Sequence, residues 1–251
     1  MSEIRYEVTD GVAVVTLDAP ARRNALTLEM AAQLVAALDE ADADDRVGAV
    51  VIGGGASFCA GAERSILAAA GTDPADDVHF RALETIYKAF MRVGEVRTPT
   101  IAAIRGAAVG AGMNLALAPD LRVVARDARL MSGFLRIGLH PGGGHFPLLE
   151  RTAGREAAAA MGLFGAAVDG TRAVELGMAW AAVDDADVDA TAFDLAARAG
   201  ADPELSRRTV ASFRRETGVP GVTWEVGVEV ERSPQMWSLR RRDAAAKAPV
   251  S

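Results

Sequence analysis

The run from Thr100 to Asp120, TIAAIRGAAVGAGMNLALAPD, limits what this chain can fold into more than any other stretch. After Thr100 it is apolar through Ile104, as a strand buried on both faces is, and passes through Gly106, Gly110 and Gly112 into a helical pattern. A strand that feeds through glycine into a helix is the βα turn of a parallel sheet. Such a turn presents backbone N–H groups that the first helical turn leaves without partners, and glycine lets that backbone approach another group closely. A second passage has the same shape: the apolar run at 48–52 leads through GGGASFC to Ala60-Gly61-Ala62-Glu63. Two convergent N–H groups can hold an anion or stabilise an oxyanion that develops on a carbonyl.

The rest of the chain fits an α/β plan. Residues 4–8 and 12–17 alternate around Thr9-Asp10-Gly11, which predicts an opening hairpin. Thr27 is placed to cap a helix carrying Leu28, Ala31, Ala32, Val35 and Leu38 at helical spacing, with the acidic run DEADADD at its end. A helix over 79–93 and a strand over 121–125 follow. Beyond about residue 155 strand signals nearly stop: helices are expected over 155–163, 171–176, 190–199, 204–216 and 224–236, then a frayed basic tail, LRRRDAAAKAPVS. This divides the chain into a β-rich core, 1–190, and a helical C-terminal region, 191–251, which either folds back on the core or packs on a neighbouring subunit.

Charge and composition narrow the partners. With 27 Lys and Arg against 34 Asp and Glu the net charge is -7, which argues against a nucleic-acid partner. The longest uncharged run, 47–62, is broken by glycine and falls short of the roughly 20 apolar residues of a membrane span. The single cysteine, Cys59, excludes an internal disulfide, and the start MSEIRYEVTD shows no apolar leader, so a reducing cytoplasm is the expected location. The three histidines have no metal-ligand spacing, so no metal is expected. A dinucleotide fingerprint fails at its third glycine, where Leu115 stands, and no P-loop lysine follows a glycine cluster.

Four segments in order, LDAPARRNALTLEM, GGGASFCAGAE, TPTIAAIRGAAVGAGMNLALAPDLRV and IGLHPGGG, resemble the signature segments of the enoyl-CoA hydratase/isomerase (crotonase) superfamily. The resemblance implies a spiral of ββα units, helices that build trimers or dimers of trimers, and a pocket for an acyl-CoA thioester. Coenzyme A enters as part of that substrate, with no tightly bound cofactor. By position, Ala62 and Ala111 correspond to the two N–H donors that grip the thioester oxygen. Arg22, Arg23, Asn24, Ala25 and Ala60, with Ala62, fall where the family lines its CoA site; Arg23 reads equally as a solvated surface residue, and Asn24 as the fixer of its own turn.

The same alignment exposes a departure. The two glutamates that activate water and protonate the α-carbon in such hydratases fall on Asn114 and Phe134, and no Asp or Glu occurs anywhere from 128 to 149. Neither side chain transfers a proton at neutral pH. Each positioned acid or base contributes about 10² to 10⁴ in rate, so fast hydration is not expected. His140 and His145, which flank Gly142 to Gly144, are the replacement candidates, against a reading as loop histidines bonded to backbone. Ser132 could bind water or a hydroxyl, or bond locally, and Phe134 and Met131 suggest an apolar pocket. Cys59 reads as packing and Glu63 as loop structure. Three hypotheses follow: an enzyme that polarises acyl-CoA thioesters, a non-catalytic acyl-CoA binder, or a partner subunit of a competent homologue.

Overall fold

The structure is a computed structural model that describes residues 2–217 and 223–247. Residues 4–17 fold as their alternation predicts. β1 (Ile4–Thr9) and β2 (Val12–Leu17) pair antiparallel with Thr9 opposite Val12, and Asp10 and Gly11 turn the chain at φ 49° and 74°. α1 (Leu28–Ala43) starts at Thr27, whose Oγ1 accepts from the Met30 N–H at 2.9 Å.

From there the chain winds as a spiral of ββα units, each feeding one strand into a large sheet and an extended segment into a small one. β3 (Ala49–Gly53) joins the large sheet, and Cys59 then bridges to the small one. β4 (Thr100–Ile104) joins the large sheet, β5 (Ala107–Val109) the small one, and α4 (Ala111–Leu117) follows. β6 (Leu121–Ala125) and β7 (Arg129–Met131) repeat this before α5 (His145–Gly162). The large sheet has the order β1-β2-β3-β4-β6-β9, parallel from β2 onward; the small one has the order β5-β7-β8. Between β3 and β4 lie α2 (Arg64–Thr72) and α3 (Asp77–Glu95), and β8 (Ala167–Val168), α6 (Gly170–Glu175) and β9 (Ala181–Val183) complete the core.

Several elements depart from the sequence reading. α2 was not expected, and the helix over 79–93 is longer at both ends, running 77–95. Strands do not stop at 155: β9 extends the large sheet. β5, β7, β8 and β9 have two or three residues each, too few for a period of two to register. α7 (Val188–Gly200) crosses position 190 and packs on β3 and β4, so that position lies inside a helix of the core.

α8 (Pro203–Glu216) and α9 (Trp224–Lys247) complete the chain, and α9 packs against α2 and α5. The helical region thus folds back on its own core. The tail read as frayed is helical through Lys247, anchored by the fully buried Leu239; residues 248–251 lie outside the described residues. Among the described residues no helix is long and apolar enough to cross a membrane.

Candidate active site

The two glycine-rich passages meet because the chain after β3 pairs with the chain after β4. Phe58 N donates to Arg105 O, Cys59 N to Ala107 O and Val109 N to Cys59 O, all at 2.9 to 3.0 Å. Gly112 makes the approach possible: a Cβ there would overlap the Cys59 carbonyl. Segment 22–26 is tied to the same place, with Ala60 N donating to Arg23 O at 3.0 Å, Leu26 N to Gly61 O at 2.7 Å and Glu63 N to Leu26 O at 2.9 Å. Ala111 is the first residue of α4, reached through Gly110 at φ 58°, so its N–H has no acceptor within the helix. The Ala62 N–H lies between the bonded amides of Leu26 and Glu63 and likewise has no protein acceptor among the described residues. Both N–H groups border one cavity of about 170 Å³.

The cavity is apolar on most sides: Leu83, Ile86, Leu67, Phe134, Ile137 and Leu139 contribute to its walls. Its polar side chains are Asn114, Tyr87, Gln235 and, exposed at the mouth, Arg64. Among the described residues, neither an acidic residue nor a histidine lines it.

The histidines lie elsewhere. His145 is fully buried behind the wall, its ring edge-on to Phe134 at 5.0 Å between centroids. Asn114 Nδ2 donates to Gly142 O at 2.9 Å, which turns Oδ1 toward His145 Nδ1 at 2.7 Å; Nδ1 therefore carries the proton, and Nε2 accepts from the Ser132 hydroxyl at 2.7 Å. Burial pushes the His145 pKa down to about 3, so the imidazole is neutral and both its nitrogens are occupied. His140 lines a separate surface groove with Phe146 and Trp237, and its Nδ1 lies 2.6 Å from Pro141 O. Of the residues read as catalytic candidates, Ala62, Ala111 and Asn114 reach the cavity while His140 and His145 do not; Phe134 reaches it and Ser132, 3 % exposed, points away to His145.

The matched family model decides what kind of chain this is: a model described as enoyl-CoA hydratase/isomerase matches residues 7–221. The chain belongs to the enoyl-CoA hydratase/isomerase family. It is 42 % identical over 249 residues to "Probable enoyl-CoA hydratase EchA14" of Mycobacterium tuberculosis (strain ATCC 25618 / H37Rv), covering 97 % of this chain and 95 % of that one. It is 36 % identical over 247 residues to the 1,2-epoxyphenylacetyl-CoA isomerase of Escherichia coli (strain K12), covering 97 % and 92 %. Its structure superposes on a crystal structure of an enoyl-CoA hydratase/isomerase from Xanthobacter autotrophicus Py2 with a TM-score of 0.84 at 32 % identity, over 99 % of each chain.

Within this crotonase fold Ala60 and Ala62 of the residues read as a CoA site line the cavity, and segment 22–25 adjoins them through the bond from Ala60 N to Arg23 O, with its side chains differently engaged. Asn24 is spent on structure: at φ 53° and 1 % exposed, it accepts from Ala19 N at 2.8 Å and donates to the carbonyls of Gly54 and Ser57 at 2.7 Å each. Arg22 donates through Nε to Ala25 O at 3.0 Å and pairs with Glu3 at 2.5 Å. Arg23 is exposed and left-handed at φ 52°, with no ion pair among the described residues. Ala25 is half-buried, and Ala60 borders the cavity. Cys59 is fully buried, its thiol pushed up to about 12 by desolvation, which makes it inert packing.

The sequence reading did not single out Gln235, which the C-terminal helix contributes to the cavity lining. Trp224, Val228, Glu231, Gln235 and Ser238 recur at spacings of four and three and so form one stripe of α9. That stripe clasps the loop His140–Phe146. Trp224 Nε1 donates to Gly143 O at 2.9 Å, and Glu231 accepts from the N–H groups of Gly144, His145 and Phe146 at 3.0 to 3.2 Å. Gln235 lies over Gly142, and Ser238 Oγ accepts from His140 N at 3.0 Å. Burial raises the Glu231 pKa while the three N–H groups oppose the shift. Polar residues inside an otherwise apolar helical stripe were the available sequence signal.

Proposed function

We propose that this protein is an acyl-CoA enzyme that polarises the thioester carbonyl between the Ala62 and Ala111 N–H groups and runs enolate-type chemistry, not fast hydration. One observation carries the reading: among the described residues, two N–H groups without protein acceptors border an apolar cavity whose lining includes no carboxylate or imidazole. Donors aimed at developing charge in a site shielded from water each contribute about 10² to 10³ in rate, and they act without a proton-transfer group. α4 and α2 both begin at the cavity, so their positive ends favour negative charge on the thioester oxygen. Loss of carbon dioxide from a β-carboxylated acyl group uses that polarisation without a base, because the C–C bond pair becomes the enolate; isomerisation needs a water to take the proton, thioester cleavage needs a water to attack the carbonyl, and conjugate addition of water lacks the base that would activate it. The CoA moiety is expected along segment 22–25, where exposed Arg23 offers a cation for a phosphate.

The test pairs calorimetric binding of butyryl-CoA with a crotonyl-CoA hydration assay, on the wild type and Ala111→Pro. Proline fits the first turn of a helix and removes one N–H donor. Binding with hydration several orders of magnitude below ordinary enzymatic rates is expected, together with a further loss of about 10² to 10³ in whatever thioester turnover is found for Ala111→Pro. Fast hydration would overturn the reading, and so would failure to bind. Binding with no turnover on any acyl-CoA would identify a carrier that kept the grip and lost the chemistry.

A further inference from the structure

We infer that Gln235 is a recognition residue for an oxygen acceptor on the acyl group beyond the thioester, so that the pocket prefers an oxygenated acyl-CoA to its hydrocarbon counterpart. This rests on the reading of the cavity as an acyl-CoA site. Arg64 is exposed to solvent, which leaves Asn114, Tyr87 and Gln235 as the cavity's other polar side chains. The Asn114 carboxamide is held at both ends, by Gly142 O and His145 Nδ1. The Tyr87 hydroxyl donates to Gln235 Oε1. That bond leaves Nε2 of Gln235, a residue that borders the cavity, with no protein acceptor among the described residues. An N–H donor that opens onto an otherwise apolar cavity is completed by a ligand oxygen or a water.

The surroundings hold this amide in place. A Cβ at Gly142 would overlap the carboxamide, Tyr87 is 4 % exposed and packs on Phe90, and α9 is fastened one turn away on either side by Glu231 and Ser238. The position along the substrate follows from the helix. Asn114 is three residues after Ala111, about 4.5 Å along the axis, and it bonds the carbonyl of Gly142, the residue against which Gln235 lies. The acceptor is accordingly assigned to the third or fourth acyl carbon, a reach that matches that rise. The remaining walls there are Leu139, Leu83 and Ile86, which offer no competing hydrogen bond. A site built to satisfy one donor rejects the analogue that lacks the acceptor.

The probes are 4-oxopentanoyl-CoA and 4-methylpentanoyl-CoA, near-isosteres in which a methyl replaces the acceptor oxygen, titrated by calorimetry into the full-length protein. The wild type is expected to bind the oxo ester roughly tenfold more tightly. Gln235→Leu should abolish the preference while holding 4-methylpentanoyl-CoA within about threefold of wild type. Gln235→Glu keeps the shape but presents an acceptor, and should weaken the oxo ester selectively. Equal wild-type affinities, or a preference that survives both substitutions, would overturn the role of Gln235. Binding of 4-methylpentanoyl-CoA without discrimination would sink this inference alone, whereas failure of both esters to bind would sink the acyl-CoA reading with it.

Discussion

Asn114 shows what a glutamate-to-amide departure does to its neighbours. A carboxylate at this position would face His145 across 2.7 Å and hold a proton on the imidazole; the neutral amide lets the ring stay uncharged at full burial. Asn114→Asp, nearly isosteric, is expected to raise the His145 pKa from about 3 by roughly 1 to 3 units through the new opposite charge. Titration of the imidazole resonances by NMR reads this directly, and an unchanged value would mean that His145 does not sense position 114. The roles of the backbone donors were legible because Gly106, Gly110 and Gly112 stand at fixed offsets from a strand. The burial of His145 was not: nothing in IGLHPGGGH distinguishes an imidazole facing a cavity from one sealed behind Phe134.

At the scale of elements, the glycines of loop 142–144 are explained by what packs on them. Cβ atoms would overlap Gln235 at Gly142, Phe90 at Gly143 and Trp224 at Gly144. Gly142→Ala is therefore expected to displace α9, raising its hydrogen exchange and costing about 1 to 3 kcal/mol, as overpacking does in a filled core. An unchanged exchange pattern over 224–240 would show that the helix yields without undocking. The sequence showed a helix there but not its direction of packing, because a stripe carrying Glu231, Gln235 and Ser238 is not apolar. Long strands and helices were readable from their periods; β5, β7, β8 and β9 exist through pairing with longer neighbours, a tertiary effect.

For the whole molecule, the buried neutral imidazole sets an acid limit. His145 titrates near 6.5 when unfolded and near 3 when folded, so between those values the unfolded chain holds a proton that the native chain lacks. Its contribution is complete above about pH 6.5 and is lost as pH falls toward 3, at up to about 1.4 kcal/mol per unit. Glu231, whose folded pKa is raised, acts with the opposite sign, contributing stability below its folded pKa. Urea midpoints measured from pH 7 to pH 4.5 should fall for the wild type and fall less steeply for His145→Gln. Equal slopes would assign the acid sensitivity to other groups.

The clasp between α9 and the 140–146 loop also bears on how this sequence can change over time. Positions 142 and 235, and 144 and 224, are 93 and 80 residues apart in the chain yet pack directly on one another. A side chain gained at either glycine is tolerated only if its partner shrinks. Lineages that gain a side chain at position 142 should carry a smaller residue at position 235, whereas position 235 is free to change selectivity while 142 stays glycine.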